Sequence, residues 1–312
     1  MKYIFVINPA AGIENSEDRL LDSLKKKKKL NYDIYYTKAP KDAISFVKKT
    51  CQENPQETFC FVAAGGDGTL NEVVNGVADC ENACFGCWPC GSGNDFVKYY
   101  GEVANAANLD NLLNGHLETI DLLLINGNRY SVNVIDTGFD CVVINQMEKI
   151  RRTPIIGGKN AYTTGIVQAL FGGRHHRGII KVDGQIVNPK GTFMLATFAN
   201  ASHIGGGYKA APRALADDGL IDVCVARPIS IPKLAQIIGI YRKGEHLEDS
   251  RCKGIFSYYQ GRVVEIDAAS PLYIAADGEM IKNRHFRIEI VDKKVRYLVP
   301  RNSIKHKKGS EN

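Results

Sequence analysis

The 312-residue sequence lacks any apolar run of 18 residues or more, so we expect no helix that spans a membrane. It also lacks sustained low-complexity stretches apart from the five lysines at 25–29. Hydrophobic residues make up 44% of the chain, which excludes a disordered protein. The short apolar run after Lys2 leads directly into Asn8-Pro9, unlike a cleaved leader. We therefore expect a cytoplasmic protein that meets a membrane only at its inner surface, as a peripheral protein.

The charge of the chain is only mildly one-sided. Lysine and arginine number 40 and acidic residues 34, which gives a net charge of +6 and a pI near 8.7. This excess suits an anionic partner, such as a nucleotide or an acidic lipid surface. It is too small for a nucleic-acid-binding domain, for which a pI above about 9 is typical. We expect no nucleic-acid partner.

Strand and helix patterns alternate through residues 1–120. Buried-strand patterns at 2–7 and 59–64 are each followed by turn residues and then by an amphipathic segment. At 70–77, for example, leucine and valine recur at i, i+3, i+4 and i+7, which is one face of a helix. This order predicts an α/β domain with a mainly parallel sheet.

Residues 121–291 have a different pattern, dominated by short β-rich segments, one of them at 139–144. Helical patterns near 160–171 and 231–242 interrupt them. We predict an all-β, sandwich-like domain with helical insertions.

The strongest local signal is GGDGT at 65–69, directly after a buried strand and before a helix. Glycines at such a place let backbone N–H groups approach a phosphate closely. The spacing and the lysine of a Walker A loop are absent. Asp67 would repel phosphate unless a cation stands between them, so it implies Mg²⁺, bound directly or through water. The alternative is that Asp67 only caps the helix.

A second glycine-rich turn, PCGSGNDF at 89–96, follows one strand later. Turns at neighbouring strand ends face each other across one crevice. Ser92 offers a hydroxyl group to a phosphate or a ribose. Asn94 and Asp95 have two open roles, which are to hold the turns together or to contact the ligand.

The third signal is Asp277-Gly278-Glu279, which follows a strand pattern far along the chain. Phosphoryl transfer needs a carboxylate that accepts the proton of the attacking alcohol. Glu279 is a candidate for this base. Taken alone, D-G-E is also a common turn.

Six motifs together resemble the diacylglycerol kinase catalytic family of bacterial lipid kinases, which is related to sphingosine kinases and NAD kinases. GGDGT alone is shared with NAD kinases and phosphofructokinases, whereas its combination with GSGNDF and a late DGE is specific. The resemblance covers nearly the whole chain. It implies that residues 1–120 form a NAD-kinase-like nucleotide-binding domain, to which the chain returns over about 292–312, and that residues 121–291 carry the lipid and metal sites. The motifs occur in this order: INPAAG (7–12), GGDGTLNEVVNGV (65–77), PCGSGNDF (89–96), GGGYKAAP (205–212), ADDGLIDV (216–223) and ADGE (276–279).

The resemblance implies an ATP-dependent enzyme of phospholipid metabolism that phosphorylates diacylglycerol to phosphatidic acid. It makes Glu279 the general base and gives Asp67 a catalytic role through the ion. It implies a Mg²⁺ site made by the Asp218 carboxylate and the carbonyl groups of Leu215 and Leu220. It places ATP against the following residues: Asn8, Pro9, Thr37, Gly65, Gly66, Asp67, Gly68, Thr69, Leu70, Asn71 and Ser92.

Three alternatives stay open at this point. The lipid could be another long-chain alcohol, such as undecaprenol or a sphingoid base. The enzyme could be a NAD kinase, or the chain could be a nucleotide sensor without catalysis. Ser92 stands where the family most often has threonine, which keeps the hydroxyl group. We further expect a lipid substrate at the membrane surface, with a homodimer as an option and the His175-His176 segment as a possible membrane contact.

Four cysteines, Cys80, Cys84, Cys87 and Cys90, have spacings that suggest a zinc or iron–sulfur site. The last part of this segment has a strand pattern, and side chains of a strand alternate between its two faces. A spacing of three therefore directs successive cysteines to opposite faces. We predict buried, reduced thiols that pack as small apolar groups.

Overall fold

The computed structural model describes residues 1–11, 16–139, 141–142 and 175–304. Their first part alternates strands and helices, as predicted. Its elements are β1 (Lys2–Ile7), α1 (Ser16–Lys25), β2 (Tyr32–Tyr36), α2 (Asp42–Glu53), β3 (Phe59–Gly65), α3 (Asp67–Val77), β4 (Ala83–Pro89), α4 (Asp95–Tyr99), α5 (Val103–Ala106) and α6 (Leu109–Leu113).

The strands of this first part form a parallel sheet in the order β2-β1-β3-β4. Helices α2 and α3 pack on one face, and α1 and α6 pack on the other. The register sets Ile7 opposite Tyr36 and Ala64, and sets Gly65 opposite Pro89. The carboxyl ends of the four strands therefore meet at one edge, where open α/β sheets bind their ligands.

The second part is a β-sandwich domain with a helix on one side. Strands β14-β13-β12-β7-β15 are antiparallel, and an apolar core lies between them and β5, β9 and β16. Helix α7 covers the other face. The elements are β5 (His116–Ile125), β6 (Arg129–Ser131), β7 (Val134–Gly138), β8 (His176–Arg177), β9 (Ile179–Val182), β10 (Gln185–Ile186), β11 (Thr192–Phe193), β12 (Leu195–Ala199), β13 (Ile221–Ala226), α7 (Ile231–Lys243), a 3₁₀ turn (Ser250–Cys252), β14 (Phe256–Gly261), β15 (Val263–Ala276) and β16 (Glu279–Val299).

One long strand, β16, joins the two parts. It pairs with β15 over its first half and with β5 over its second half. Near its end, Tyr297 lies opposite Phe85 of β4 in parallel register, and its buried ring packs against Phe85 and Phe96 at 4.8 and 5.2 Å. The domain limits at 120 and 292 stay predictions.

Two features of the β-rich part differ from the sequence pattern. The strand predicted at 139–144 is wrong for the described residues of that segment, because Phe139, Cys141 and Val142 have helical backbone. Gly138 has φ +94 and ends β7, and a short apolar run fits a buried helix turn as well as a strand. Strands β5 and β14 were not predicted, and the helix predicted at 160–171 lies outside the described residues.

The four cysteines do not converge on one point. Cys84 and Cys90 lie in the apolar cluster on one face of the first sheet, and Cys87 lies in the cluster on the other face. All three are buried free thiols, and Cys80 is a half-buried one. No cluster with metal-binding geometry occurs among the histidine, cysteine and acidic residues that the structure describes. The prediction of buried cysteines that pack among apolar side chains is confirmed for Cys84, Cys87 and Cys90.

Candidate active site

The two glycine-rich turns are packed backbone against backbone at the ends of β3 and β4. A Cβ atom added to Gly91 would lie 2.5 Å from the Cα atom of Gly66, which no real side chain allows. The N–H of Cys90 donates to the carbonyl oxygen of Gly65 at 2.8 Å. Glycine is therefore needed here for close approach of the two turns.

The carboxylate of Asp67 bridges the two turns. Its Oδ2 atom accepts the backbone N–H of Asn94 and its Oδ1 atom that of Asp95, both at 2.8 Å. Asp67 thus caps the start of α4, while its own helix begins at Gly66 without a side-chain cap. Burial, followed by the neighbouring Asp95 carboxylate, raises the pKa of Asp67 to about 6. A Cβ atom on Gly93 would lie 2.5 Å from Asp67 Oδ2, so this contact also requires a glycine.

Asn94 and Asp95 hold the turns together, one of the two roles left open above. Asn94 accepts the N–H of Gly91 at 3.0 Å and donates from Nδ2 to the Gly91 carbonyl at 2.6 Å. Asp95 accepts the N–H of Gly206 at 3.1 Å and the ammonium group of Lys98 at 2.9 Å. The GGG motif at 205–207 is thereby attached to the second glycine turn.

The first turn of the chain lies beside the GGDGT loop. Asn8 donates from Nδ2 to Oγ1 of Thr69 at 3.2 Å, and its Oδ1 accepts the N–H of Ala10 at 3.0 Å. The N–H of Thr37 donates to the carbonyl of Ile7 at 2.9 Å, which places Thr37 at the same edge. The predicted ATP contacts therefore lie on four adjacent strand ends. Three of these residues are exposed, namely Pro9, Gly68 and Ser92.

Asp277 is the centre of a buried network. This residue is only 8% exposed. Its carboxylate accepts hydrogen bonds from three successive backbone N–H groups and from two side chains. The side-chain donors are Asn71 Nδ2 and Ser131 Oγ, each at 2.7 Å. The backbone donors are Val132, Asn133 and Val134, at 2.9, 3.0 and 3.2 Å. Asn71 belongs to α3, which begins within GGDGT, so this network joins α3 to the Asp277-Gly278-Glu279 turn.

Glu279 begins β16 directly after that turn. Its side chain is 40% exposed, and Oε2 accepts a hydrogen bond from Nη2 of Arg129 at 2.5 Å. The Asp277-Gly278 turn has φ values of +48 and +87, which a two-residue hairpin of this type requires. The carboxylate therefore stands beside the GGDGT helix on a fixed backbone and faces water.

The predicted metal loop is anchored by a buried acid that the sequence did not single out. Asp121 accepts the N–H of Gly219 and that of Lys293, both at 2.7 Å. Burial raises the pKa of Asp121 to about 6, although these two N–H groups oppose the shift. The N–H of Ala216 donates to the Tyr99 hydroxyl at 3.2 Å, so the loop touches α4.

The donor set of this loop fits a hard cation. Asp218 supplies a carboxylate whose Oδ1 accepts the N–H of Leu220 at 3.1 Å, and the carbonyl groups of Leu215 and Leu220 are oxygen donors. Gly219 has φ +72, which turns the backbone at the centre of the loop. The assignment of Asp218, Leu215 and Leu220 as magnesium ligands stays a prediction.

Arg129 and Asp121 are the site residues that the sequence did not reveal. Arg129 lies in the short strand β6, directly after the Asn126-Gly127 hairpin turn, and it meets Glu279 across 150 positions. One feature of the sequence points to Asp121, which is an acidic residue inside an apolar run (120–125). An acidic residue buried with such a run needs hydrogen-bond partners.

Glycine-rich turns at the ends of parallel strands, each leading into a helix, are typical of proteins that bind phosphate groups. The comparison with known families gives the particular class. Residues 2–125 match the diacylglycerol kinase catalytic domain, and residues 133–299 match the YegS C-terminal NAD kinase beta sandwich-like domain. The chain belongs to the diacylglycerol kinase family of lipid kinases, a family of transferases that use ATP.

Individual relatives agree with this assignment. A diacylglycerol kinase of Bacillus subtilis (strain 168) is 27% identical over 281 residues, 88% of each chain. A diacylglycerol kinase of Staphylococcus aureus (strain MRSA252) is 28% identical over 280 residues, 88% of this chain and 84% of that one. A crystal structure of a diacylglycerol kinase from Bacillus anthracis str. Sterne has a TM-score of 0.68 at 18% identity and covers 97% of this chain and 98% of that one, which supports the fold. Among the described helices, none is both long and apolar enough to cross a membrane.

Proposed function

We propose that this lipid kinase transfers the γ-phosphoryl group of ATP to the free hydroxyl group of diacylglycerol and so forms phosphatidic acid. The observation that carries the proposal is the 2.7 Å hydrogen bond between Asn71 and Asp277. It joins α3, which begins within GGDGT, to the turn that precedes Glu279, and this connection supports Glu279 as the carboxylate that serves a phosphate bound at the glycine turns. Two relatives that are 27% and 28% identical to this chain are named diacylglycerol kinase, which supports this lipid over other alcohols.

Each residue of the site has a stated task in this reaction. The backbone N–H groups of 65–69 and the start of α3 hold the phosphates. The alcohol oxygen attacks the γ-phosphorus, its proton moves to Glu279, and the bond to the bridging oxygen of ADP breaks. ADP and the phosphorylated lipid leave, and Glu279 returns the proton to water.

The proposal includes magnesium. The Asp218 carboxylate and the Leu215 and Leu220 carbonyl groups would hold the ion, with Asp67 in contact through water. When bound, Mg²⁺ supplies neutralisation of the negative charge that repels an attacking alcohol. The residues of the chain itself bind the nucleotide, orient the alcohol and accept its proton.

We also propose a cytoplasmic protein that contacts the inner membrane face to reach its lipid, as a monomer or a homodimer. The excess of six positive charges supports attraction to an anionic bilayer. The task of the His175-His176 segment in this contact stays a prediction.

The test is transfer of label from γ-labelled ATP to a panel of lipid alcohols in mixed micelles, with and without Mg²⁺. The panel contains diacylglycerol, undecaprenol and a sphingoid base, and NAD is a separate acceptor. We expect labelled phosphatidic acid that depends on Mg²⁺. Label in another lipid would replace the substrate, and label in NAD alone would overturn the proposal. Bound ATP without transfer to any acceptor would favour a nucleotide sensor.

A further inference from the structure

Arg129 is a cation that the proposed reaction does not yet explain. Its Nη2 atom donates to Oε2 of Glu279 at 2.5 Å, and the two side chains are 24% and 40% exposed. This ion pair restrains the carboxylate of the proposed base, and the steps of the proposed reaction give Arg129 no task of its own.

Strand β6, which carries this arginine, is hydrogen-bonded to α3 and to Asp277, which also hold the turn before Glu279. The N–H of Tyr130 donates to Asn75 Oδ1 at 2.9 Å, and its carbonyl oxygen accepts from Asn71 and Asn75 at 3.1 and 2.9 Å. The hydroxyl of Ser131 donates to Asp277 at 2.7 Å. Both partners of the ion pair thus start from backbone that is hydrogen-bonded to α3 and to the Asp277 network.

Arginine can hold a carboxylate without exchanging a proton with it. Its guanidinium group stays charged at any pH at which proteins fold, and its donors lie in one plane. Among the described residues, no other hydrogen bond to Glu279 is made, so the guanidinium group alone restrains the carboxylate through Oε2. The second oxygen, Oε1, is left for the hydroxyl group of the substrate.

We infer that Arg129 is a positioning residue that holds Glu279 in one orientation, with Oε2 on the guanidinium group and Oε1 directed to the lipid hydroxyl group. The inference rests on the proposed function. In the transfer step the alcohol proton moves to Oε1, while the arginine keeps all of its own protons. The ion pair contributes through orientation, because misplacement of a reacting group by about 1 Å can cost about 100-fold in rate.

The test uses Arg129→Gln, Arg129→Lys and the control Arg287→Gln in the full-length chain. Arg287 lies on the same strand as Glu279 and also forms ion pairs, with Glu265 and Glu289, but eight residues further along. We expect Arg129→Gln to lower kcat by roughly 10- to 100-fold. The KM for ATP and equilibrium ATP binding should stay within about twofold, since the arginine is not assigned to the nucleotide. Arg129→Lys should recover part of the rate, and the control should keep the wild-type rate.

A double mutant separates positioning from a general structural effect. If Arg129 acts through Glu279, then Arg129→Gln should cost nothing further in a Glu279→Gln background. Equal loss in both backgrounds, tenfold weaker ATP binding, or a variant faster than wild type would each overturn the inference. Thermal unfolding of each variant checks folding, and Arg129→Lys carries the test if Arg129→Gln does not fold.

The outcomes also separate this inference from the proposed function. A wild-type enzyme that phosphorylates a lipid, together with an Arg129→Gln variant of undiminished rate, overturns the inference alone. A wild-type enzyme that binds ATP but phosphorylates no lipid overturns the proposed function and the inference with it.

Discussion

Two hairpins in the β-rich part have the same turn sequence and different surroundings. Asp183-Gly184 joins β9 to β10, and Asp277-Gly278 joins β15 to β16. Their φ values agree within a few degrees, at +47 and +79 in the first and +48 and +87 in the second. Both are the two-residue turns that Asp-Gly favours.

The difference lies in what each aspartate meets. Asp183 is exposed and accepts the backbone N–H groups of Arg262 and Val263 from the neighbouring strand. Asp277 is buried and accepts five hydrogen bonds, one of them from Asn71 of α3. The turn chemistry makes a hairpin in both cases, and the buried partners convert the second hairpin into part of a site.

The largest effect should come from removal of the buried aspartate. Asp277→Ala leaves five buried donors without their acceptor, and we expect it to lower the free energy of unfolding by roughly 3–5 kcal/mol. Asp183→Ala should lower it by about 1 kcal/mol or less, because water replaces the lost acceptor. Urea unfolding of both variants measures the two values. Equal losses would contradict the contrast drawn between the two turns.

A pH titration tests the third aspartate, Asp67, which is half-buried between the glycine turns. Its pKa is raised from near 3.8 to about 6, so the folded state binds this proton more tightly than the unfolded state does. The contribution to stability is therefore full below about pH 4 and is lost as pH rises to about 6, by up to about 3 kcal/mol. Asp67→Asn should lack this loss, and its unfolding free energy relative to wild type should rise over that range. Parallel curves for the two proteins would contradict the shift.

Two buried asparagines, Asn71 and Asn188, allow a loss of stability to be distinguished from a loss of activity. Asn71 donates to Asp277, while Asn188 is buried to a similar degree and bonds the backbone of Ile180 and Gly178 beside the other hairpin. We expect each alanine variant to lose about 1–3 kcal/mol of unfolding free energy. Lipid phosphorylation should fall only in Asn71→Ala. An equal fall in both would show that activity follows stability alone.

The smallest effect should be the same in both turns. Gly184→Ala and Gly278→Ala each place a side chain at positive φ with no heavy atom within 4 Å of the new Cβ. The strain is local, so each should cost about 1–2 kcal/mol of unfolding free energy. Thermal unfolding measures both. A much larger loss in Gly278→Ala would show that the backbone of this turn is itself part of the packed network.

The sequence predicts those parts of the site that depend on backbone chemistry. The glycines at 65–66 and 91–93 predict two turns at neighbouring strand ends, and the structure packs these two turns against each other. Strand alternation also predicts the opposite directions of Cys84 and Cys87. These features follow from neighbours in the sequence, which is why a single chain reveals them.

Contacts between distant residues could not be predicted in the same way. The Arg129–Glu279 ion pair and the anchoring of the 215–220 loop by Asp121 depend on the order of strands in the sheet. Strand β16 lies between β15 and β4 in the sheet, and this position brings these segments together. No local periodicity encodes that order, so the residues stay unmarked until the fold is known.

The central claim is that Glu279 accepts the proton of the lipid hydroxyl group. The most direct test compares single-turnover transfer from MgATP to diacylglycerol in wild type and Glu279→Gln, at ATP concentrations that saturate both. We expect the variant to bind ATP as wild type does and to transfer the phosphoryl group about 100- to 10,000-fold more slowly, the usual contribution of a general base. Transfer at the wild-type rate would contradict the claim and leave Glu279 as a partner of Arg129 with no part in the chemistry.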